Sequence, residues 1–501
     1  MPIGPALRHL NDQPACPPDH GRSMTALPHP SQPVDPWLWA RTATETLVAG
    51  LDPAGLALRL RDERLARLLE HARACSPFYR RRMGRQRGAA PRLADLPPTD
   101  KRELMHAFDD WATDRQITRR GVDDFLHEPD HLADAYLGKY MVWTSSGTSG
   151  EPGIFVQDGA SLAVFDALDA QRLRGIGLGQ APFALWSATQ RFAFVAATGG
   201  HFAGAASAER VRRLSATAMS ALPWLAPVVK TFSVLEPLAE LQRRLQDFAP
   251  TVLVTYPSCA EALAQAQASG AMALSLSEVW VGGEQLSDRQ REHIRAAFGC
   301  ALRNNYGASE FYTMAWECPH GRLHLNHDWV LLEPVDRQMR PVPAGEPSHS
   351  VLLTNLANQT QPLLRYCLGD SVRLVGGRCR CGSGFPVIEV QGRSEQTLVM
   401  NDAQGRPVTL LPLALTTAIE EGAQVTQFQL LRTGPGSLDL RLEPGSSDPA
   451  LDGQRARAAL GRFLSAHGLP GVRVTLSGLP PLRHAVSGKL SRVVLEAPAA
   501  P

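Results

Sequence analysis

The sequence predicts an α/β protein with a large N-terminal multi-layer α/β domain and a small α+β domain at its C-terminus. Three observations lead there. The chain has 501 residues, too many for one compact core. Residues 182–340 alternate short apolar runs, such as Thr251–Thr255 and Val279–Val281, with helical stretches, the pattern of stacked helix and sheet layers. After Gly392 the texture changes to short strand-like runs near 396–400, 426–432, 436–442 and 471–476. The boundaries drawn are 1–36 for a proline-rich arm, 37–393 for the large domain and 394–501 for the small one.

Taken in order, residues 1–36 hold nine prolines and no helical periodicity. Such a segment buries too little apolar surface to order itself, so a disordered arm is expected. From Trp37 to about Gly84 the pattern is helical: Leu58, Leu60, Leu65, Leu68 and Leu69 recur among Arg and Glu, as on amphipathic helices. Residues 140–156 read as strand, glycine loop, strand. No internal repeat is present.

Composition excludes several functions. Lys plus Arg is 51 against 49 for Asp plus Glu, a net charge of +2. That balance excludes a strongly basic nucleic-acid binder. No run of apolar residues reaches the ~18 needed for a membrane helix. The eight cysteines are scattered and no secretory signal precedes them, so a reduced, cytoplasmic protein is expected. Lysine occurs only at Lys101, Lys139, Lys230 and Lys489; every other basic residue is arginine. A compact ammonium and a planar guanidinium are not interchangeable at a reaction centre. Each lysine is therefore a candidate for chemistry, although a neutral surface role is the commoner fate.

The most informative local segment is Thr144-Ser-Ser-Gly-Thr-Ser-Gly-Glu-Pro152, after the apolar-aromatic run Tyr140–Trp143. Glycines let backbone N–H groups turn inward around an anion, and hydroxyls add donors. The bland alternative is a flexible Ser/Gly linker. It lacks the Gly-Lys-Ser/Thr of a Walker loop. Further along come Asn304-Asn-Tyr306-Gly307-Ala-Ser-Glu310, Arg365-Tyr-Cys-Leu-Gly-Asp370, Gln391-Gly-Arg393-Ser-Glu395 and Val486-Ser-Gly-Lys489. An aromatic ring can lie against a purine. A carboxylate suits Mg²⁺. An Asp after a tight turn suits ribose hydroxyls.

In this order and spacing the segments resemble the adenylate-forming superfamily of acyl-CoA synthetases, peptide-synthetase adenylation domains and luciferases. The resemblance covers roughly residues 55–495. Ser76-Pro-Phe-Tyr79-Arg80, Leu96-Pro97 with Lys101, Gly282-Gly283-Glu284 and the Cys-Gly at 381 make it most similar to the phenylacetate–coenzyme A ligase branch. Thr198-Gly-Gly-His201 is similar to adenylating enzymes of phenazine biosynthesis. The resemblance implies the adenylate-forming fold with a mobile small domain. It also implies that a carboxylic acid, aromatic in this branch, is activated by ATP as its acyl adenylate and passed to coenzyme A. Alternatives are transfer to a carrier protein or an amine, and a non-catalytic acyl-adenylate-binding relative. It implies residue roles as well. Ser145, Ser146, Gly147, Thr148, Ser149 and Gly150 would hold the triphosphate. Gly282, Gly283, Glu284, Tyr306 and Gly307 would line the adenine, and Asp370 and Arg393 would meet the ribose. Glu310 would ligate Mg²⁺, Glu395 would sit at the hinge, and Lys489 would bridge the acid, the ribose and the α-phosphate. Glu151 stands where many relatives have Lys, which puts a negative charge beside the triphosphate. Little covalent work falls to the protein; positioning and charge stabilisation dominate such a displacement.

Cys318, His320, His324, Cys379 and Cys381 offer a second constellation. Two close cysteines with a Cys and a His from another loop make a four-ligand zinc set; the alternative is a buried thiol and ordinary histidines. The resemblance implies a structural zinc here. Cys318, His324, Cys379 and Cys381 are the chosen four, with His320 competing for the second place. Acyl-pocket candidates are Trp186, Phe192, Phe194, His201 and Tyr256, any of which could equally be core. Expected partners are the small-molecule acid and coenzyme A or a carrier protein, with a homodimer admitted, and neither nucleic acid nor membrane.

Overall fold

The computed structural model describes residues 35–52, 54–84, 92–128, 131–145, 152–173, 190–198, 200–221, 227–391, 398–425, 428–443, 449–482 and 492–494. The expected arm, 1–36, lies outside them except at its last two residues. Helix α1 (Pro36–Leu51) starts at Asp35, whose carboxylate accepts from the Trp37 N–H, with proline in the first turn; proline fits there because its missing N–H would be unpaired anyway. Helix α2 (Leu56–Cys75) buries Leu68, Leu69 and Ala72. Ser76 caps α3 (Pro77–Met83) by accepting from the Tyr79 N–H. Asp100 caps α4 (Lys101–His106), which sets Lys101 at the first position of a helix.

Strands β1 (Met141–Thr144) and β2 (Ile154–Gln157) form an antiparallel hairpin around the glycine loop, as expected. Helix α5 (Gly159–Leu168) follows. The alternating pattern then yields β3 (Arg191–Ala196), α6 (Ala203–Ala221), β4 (Val228–Ser233), α7 (Leu238–Phe248) and β5 (Val252–Thr255), followed by α8 (Pro257–Ala268), β6 (Glu278–Val281), α9 (Asp288–Phe298) and β7 (Ala301–Ala308). Beyond them lie β8 (Phe311–Glu317), β9 (Leu323–Leu325), β10 (Val330–Val335), β11 (Ser350–Asn355), β12 (Tyr366–Cys367), β13 (Ser371–Val375) and β14 (Val387–Gln391).

Nine of these strands form one sheet in the order β13-β14-β9-β8-β7-β6-β5-β3-β4. Pairing is parallel from β7 to β4 and antiparallel from β7 to β13. Strand β7 is therefore shared by two kinds of sheet. On the parallel side, β3 has β4 on one flank and β5 on the other. The chain reverses direction there, and ligands in open α/β sheets bind at the carboxyl ends of strands at such a switch point. Strands β10, β11 and β12 make a separate three-stranded sheet.

The expected C-terminal strands are found, with an additional hairpin strand. Strands β15 (Leu398–Asn401) and β16 (Pro407–Leu410) pair as a hairpin. Helices α10 (Pro412–Ala423) and α11 (Pro449–Ala466) accompany β17 (Phe428–Gly434), β18 (Ser437–Leu442), β19 (Arg473–Ser477) and β20 (Val493–Val494), ordered β19-β18-β17-β20. Leu398, Leu415, Ile419, Leu460 and Val493 belong to the same apolar cluster as Phe232, Leu253 and Leu263 of the large layer. No helix among the described residues is long and apolar enough to cross a membrane. Six of the described cysteines are free thiols.

A buried ionic knot joins the N-terminal helices to the sheet. Asp328 is fully buried and takes two bonds from Arg172, each 2.7 Å. Arg64 donates to the Asp328 carbonyl at 2.8 Å and to Glu45 at 2.9 Å, and lies 3.3 Å from the centroid of the Trp329 ring. Removing one partner of such a pair leaves an uncompensated charge in a low-dielectric interior, which costs about 3–5 kcal/mol. Asp328→Asn should therefore lower unfolding free energy by about that amount in denaturant titration. Asp110→Asn, which breaks the exposed Arg81–Asp110 pair, should change it by no more than about 1 kcal/mol. Equal effects would contradict this account.

Candidate active site

Local chemistry builds the site from four directions. At the neck of the glycine loop, the Ser145 and Gly153 backbones are joined at 2.9 Å, and Ser145 Oγ accepts from the Gly153 N–H at 3.0 Å. The rest of the expected triphosphate segment, 146–150, lies outside the described residues, as does Glu151. Ser309 donates to the Thr144 carbonyl at 3.1 Å, tying this neck to the turn that carries Glu310.

That turn follows β7. Its register with β8 shifts between Tyr306 and Ala308. A Cβ at Gly307 would stand 1.8 Å from the Tyr312 carbonyl oxygen, so only glycine admits this approach. The bulge sets Tyr306 and Glu310 at the mouth of the parallel sheet. The Tyr306 hydroxyl donates to Asp370 at 2.9 Å. Burial, reinforced by the Asp370 charge, holds its phenol well above the ordinary range. Asp370 follows Gly369, whose φ is +82°, in the tight turn the sequence suggests.

Glu310 is buried at 6% exposure. Its carboxylate accepts from the Tyr366 hydroxyl at 2.9 Å. Burial raises its pKa, against the opposing influence of Lys101 and of the Tyr366 bond. A carboxylate whose ionised form is disfavoured by its surroundings is ready for a cation.

Gly282, Gly283 and Glu284 follow β6. Gly283 has a φ of +78°, and a Cβ there would lie 3.1 Å from the Tyr256 ring. Glu284 accepts from the Ser258 N–H at 2.9 Å and from its hydroxyl at 3.0 Å, so its carboxylate is held by the first turn of α8. Tyr256 closes β5 and accepts from the Ala197 N–H at 3.3 Å, beyond the end of β3. It thus stands in the crevice of the switch point. Burial pushes its phenol up to about 12.

All these groups line one cavity of about 2150 Å³. Ser145, Gly282, Tyr306, Glu310 and Asp370 meet there, as do Phe194 and Tyr256. Phe192 is buried in a different apolar cluster and does not line the cavity. His201 is buried beside Phe125, with neither ring nitrogen bonded, and burial holds it down to about 4; it too is off the cavity wall. Trp186, Arg393, Glu395 and Lys489 lie outside the described residues. Their C-terminal neighbours reach the site nonetheless: Thr417, Glu420 and Arg492 line the cavity, and Arg492 is ion-paired with Glu420.

The Cys/His cluster lies at the other edge of the sheet. Donor atoms of Cys318, His324, Cys379 and Cys381 are all within 4.8 Å of one another; His320 is not among them. Cys318 and Cys379 sulfurs are 3.7 Å apart, and Cys381 Sγ is 3.3 Å from His324 Nε2. Tetrahedral zinc with bonds of about 2.3 Å to sulfur and 2.0 Å to nitrogen has edges of roughly 3.8 and 3.5 Å. His324 Nδ1 is 2.9 Å from the Phe385 carbonyl, which fixes the tautomer that leaves Nε2 as a ligand. The four residues therefore fit a closed metal site.

No protein-family model matches the chain. It is 27% identical over 398 residues, 76% of this chain and 79% of the relative, to phenylacetate–coenzyme A ligase of Thermus thermophilus. It is 30% identical over 134 residues, 26% of this chain and 28% of the relative, to protein CapK of Staphylococcus aureus. The similarity to the Thermus ligase thus spans about three quarters of both chains. The fold of this chain agrees with a crystal structure of 2-hydroxyisobutyryl-CoA ligase in complex with 2-HIB-AMP and CoA. The TM-score is 0.52 at 21% identity, over 87% of this chain and 88% of the other.

Several cavity residues were not foreseen from the sequence. Trp143, Phe165, Phe202, Arg210 and Tyr312 all line the wall. Arg210 had no signal to betray it, being one of many arginines. Lys101 had one, since lysine is rare here, and it lines the cavity with its charge felt by Glu310.

Glu310 yields a pH-dependent expectation. Its folded pKa is raised above the unfolded value. The penalty for ionising it is therefore absent below the unfolded value of about 4.3 and grows as pH rises through the folded one. Glu310→Gln should melt higher than the wild type near about pH 8, with the gap closing towards about pH 4. Melting curves recorded across that range that stay parallel would contradict the assignment.

Proposed function

We propose that this chain uses ATP to activate a carboxylic acid as its acyl adenylate and then transfers the acyl group to the thiol of coenzyme A. The observation that carries this reading is the gathering of Ser145, Gly282, Tyr306, Glu310 and Asp370 around one cavity at the switch point of a parallel sheet. The kinship with a phenylacetate–coenzyme A ligase supports the same reaction. The aromatic lining, with Trp143, Phe165, Phe202 and Tyr312 on the wall, supports an aromatic acid.

In this reading the adenine lies against Tyr306 and the backbone of Gly282 and Gly283. Asp370, oriented by the Tyr306 hydroxyl, accepts from the ribose. Residues 145–150 cradle the phosphates, and Arg393 sits beside the ribose. Glu310 holds Mg²⁺, which neutralises developing charge when bound. Lys101, at the cavity wall, faces the same region as Glu310. Lys489 meets the carboxylate and α-phosphate, and Glu395 marks the hinge on which the C-terminal part, from 394 onward, turns between half-reactions. The cluster of Cys318, His324, Cys379 and Cys381 holds one structural zinc. With four protein ligands no position is open, so its contribution is to bracing the β13–β14 hairpin against β9.

ATP–pyrophosphate exchange over a panel of aryl acids tests the first half-reaction, and thioester formation with and without coenzyme A tests the second. Exchange with no acid would sink the proposal. Lys489→Ala should slow acyl-adenylate formation on the order of 10²–10³-fold, the scale of a single preorganised charge at a transition state. An unimpaired rate would remove Lys489 from the mechanism. Metal analysis should find about one zinc per chain. Cys381→Ser should lose metal and melting temperature together, since binding energy at a closed site is folding energy. A stable, zinc-free wild-type protein would end that part of the reading.

A further inference from the structure

Besides Tyr256, the cavity wall takes in residues of α5 and α6. Three rings line it: Trp143 lies 5.5 Å from Phe165 and 5.6 Å from Tyr312, and Phe165 lies 6.3 Å from Tyr312. Among these rings sits a charged pair, Arg210 from α6 and Asp166 from α5, both on the cavity wall.

Arg210 is 5% exposed, yet its donors are poorly used. One nitrogen, Nη2, meets Oδ1 of Asp166, while Nε and Nη1 have no hydrogen-bond partner among the described residues. The fully buried Trp143 indole N–H on the same wall also has none. A guanidinium carries five N–H groups in a fixed fork and cannot shed its proton. Buried donors without acceptors are costly and rare, and each one calls for an explanation. The other deeply buried arginines show what a settled fork looks like. Arg172 is bonded to Asp328, Asn326 and Thr46, and Arg64 to Glu45 and the Asp328 carbonyl. The part-buried Arg82 leaves only Nε without a partner among the described residues. Arg210 leaves two nitrogens, and it does so in a cavity wall.

We propose that Arg210 and Asp166 read a hydroxyl group on the acid, placed on its apolar body away from the carboxylate that is activated. This inference rests on the adenylation reading and names the substrate class of the same site. The body packs against Phe165, Tyr312 and Trp143. With a small shift of the buried side chain, the hydroxyl oxygen accepts from the Arg210 guanidinium, and its proton goes to Asp166, of which Arg210 engages only one oxygen. A hydroxyl suits this pair because it both accepts and donates. A second carboxylate suits it less, since it cannot donate and would sit beside both Asp166 and Asp169 on the same wall.

The test uses the full chain and matched acids: phenylacetate, its 3- and 4-hydroxy derivatives, the corresponding methyl ethers, and the carboxymethyl analogue. ATP–pyrophosphate exchange gives kcat/KM for each, and thermal shift with the free acid gives binding without turnover. One of the hydroxylated acids should exceed phenylacetate by on the order of 10–100-fold, because a site built for a hydroxyl leaves buried groups unpaired when it is missing. In Arg210→Met that ratio should collapse towards one, and Arg210→Lys should restore part of it. Asp166→Asn, which keeps a polar partner for Arg210, should lower the ratio and guard against a folding artefact of the Met variant. A wild-type ratio near one, a preference for the ether or the dicarboxylate, or a ratio unchanged in Arg210→Met would overturn the proposal while leaving adenylation intact. Exchange with no acid, together with no thermal shift, would overturn both.

Discussion

The site depends on one close approach. Gly307 lies against the carbonyl of Tyr312 so tightly that no side chain fits. That contact makes the bulge in β7, the strand shared by the parallel and antiparallel halves of the large sheet. On one side of the bulge Tyr306 reaches Asp370, and on the other Glu310 is delivered to Tyr366. Glycine lacks the Cβ that would forbid this geometry. A bulge that re-aims side chains beside a ligand crevice is a recurrent device of sheets. Here it converts a change of strand direction into the mouth of a cavity.

Two features hold that mouth still. The Asp328 knot fastens α2 and the 169–173 turn to the loop before β10. The Cys/His cluster fastens the β13–β14 hairpin, which meets β9 through only two paired positions, Val387 with His324 and Ile388 with Leu323. So short a ladder gives little pairing energy, and a metal held by these four residues would supply what the hydrogen bonds lack. Both braces lie outside the cavity's chemistry, yet both act on segments adjoining it.

The cavity itself is continuous because Tyr256 serves two neighbours. Its ring approaches Gly283 beyond β6, and its hydroxyl faces Gly204 on α6. The two ends differ in character. Around Glu310 and Asp370 the wall offers carboxylates, suited to a metal and to hydroxyl donors. Around Arg210 and Trp143 it offers unpaired donors. That asymmetry would give a carboxylic acid with a polar far end a single orientation.

Much of this was legible in the sequence. The alternation over 182–340 became the parallel layer, since buried parallel strands and amphipathic helices write different periods. Thr144–Pro152 was bracketed by strands as expected, and Gly307 and Gly369 marked positions where the backbone needs their freedom. Cys318, His324, Cys379 and Cys381 were legible as ligand types, and rare lysine pointed to Lys101. What the sequence could not decide was proximity. His324 rather than His320 joins the cysteines because His324 sits on β9 beside β14, while His320 lies in the exposed turn before that strand. Phe192 and His201 fall away from the cavity while Phe194 and Tyr256 line it, a matter of strand face and helix entry that composition does not encode. The role of Arg210 is the clearest case. Among dozens of arginines it differs only in what surrounds it, and a donor's lack of partners exists only once the chain has packed around it.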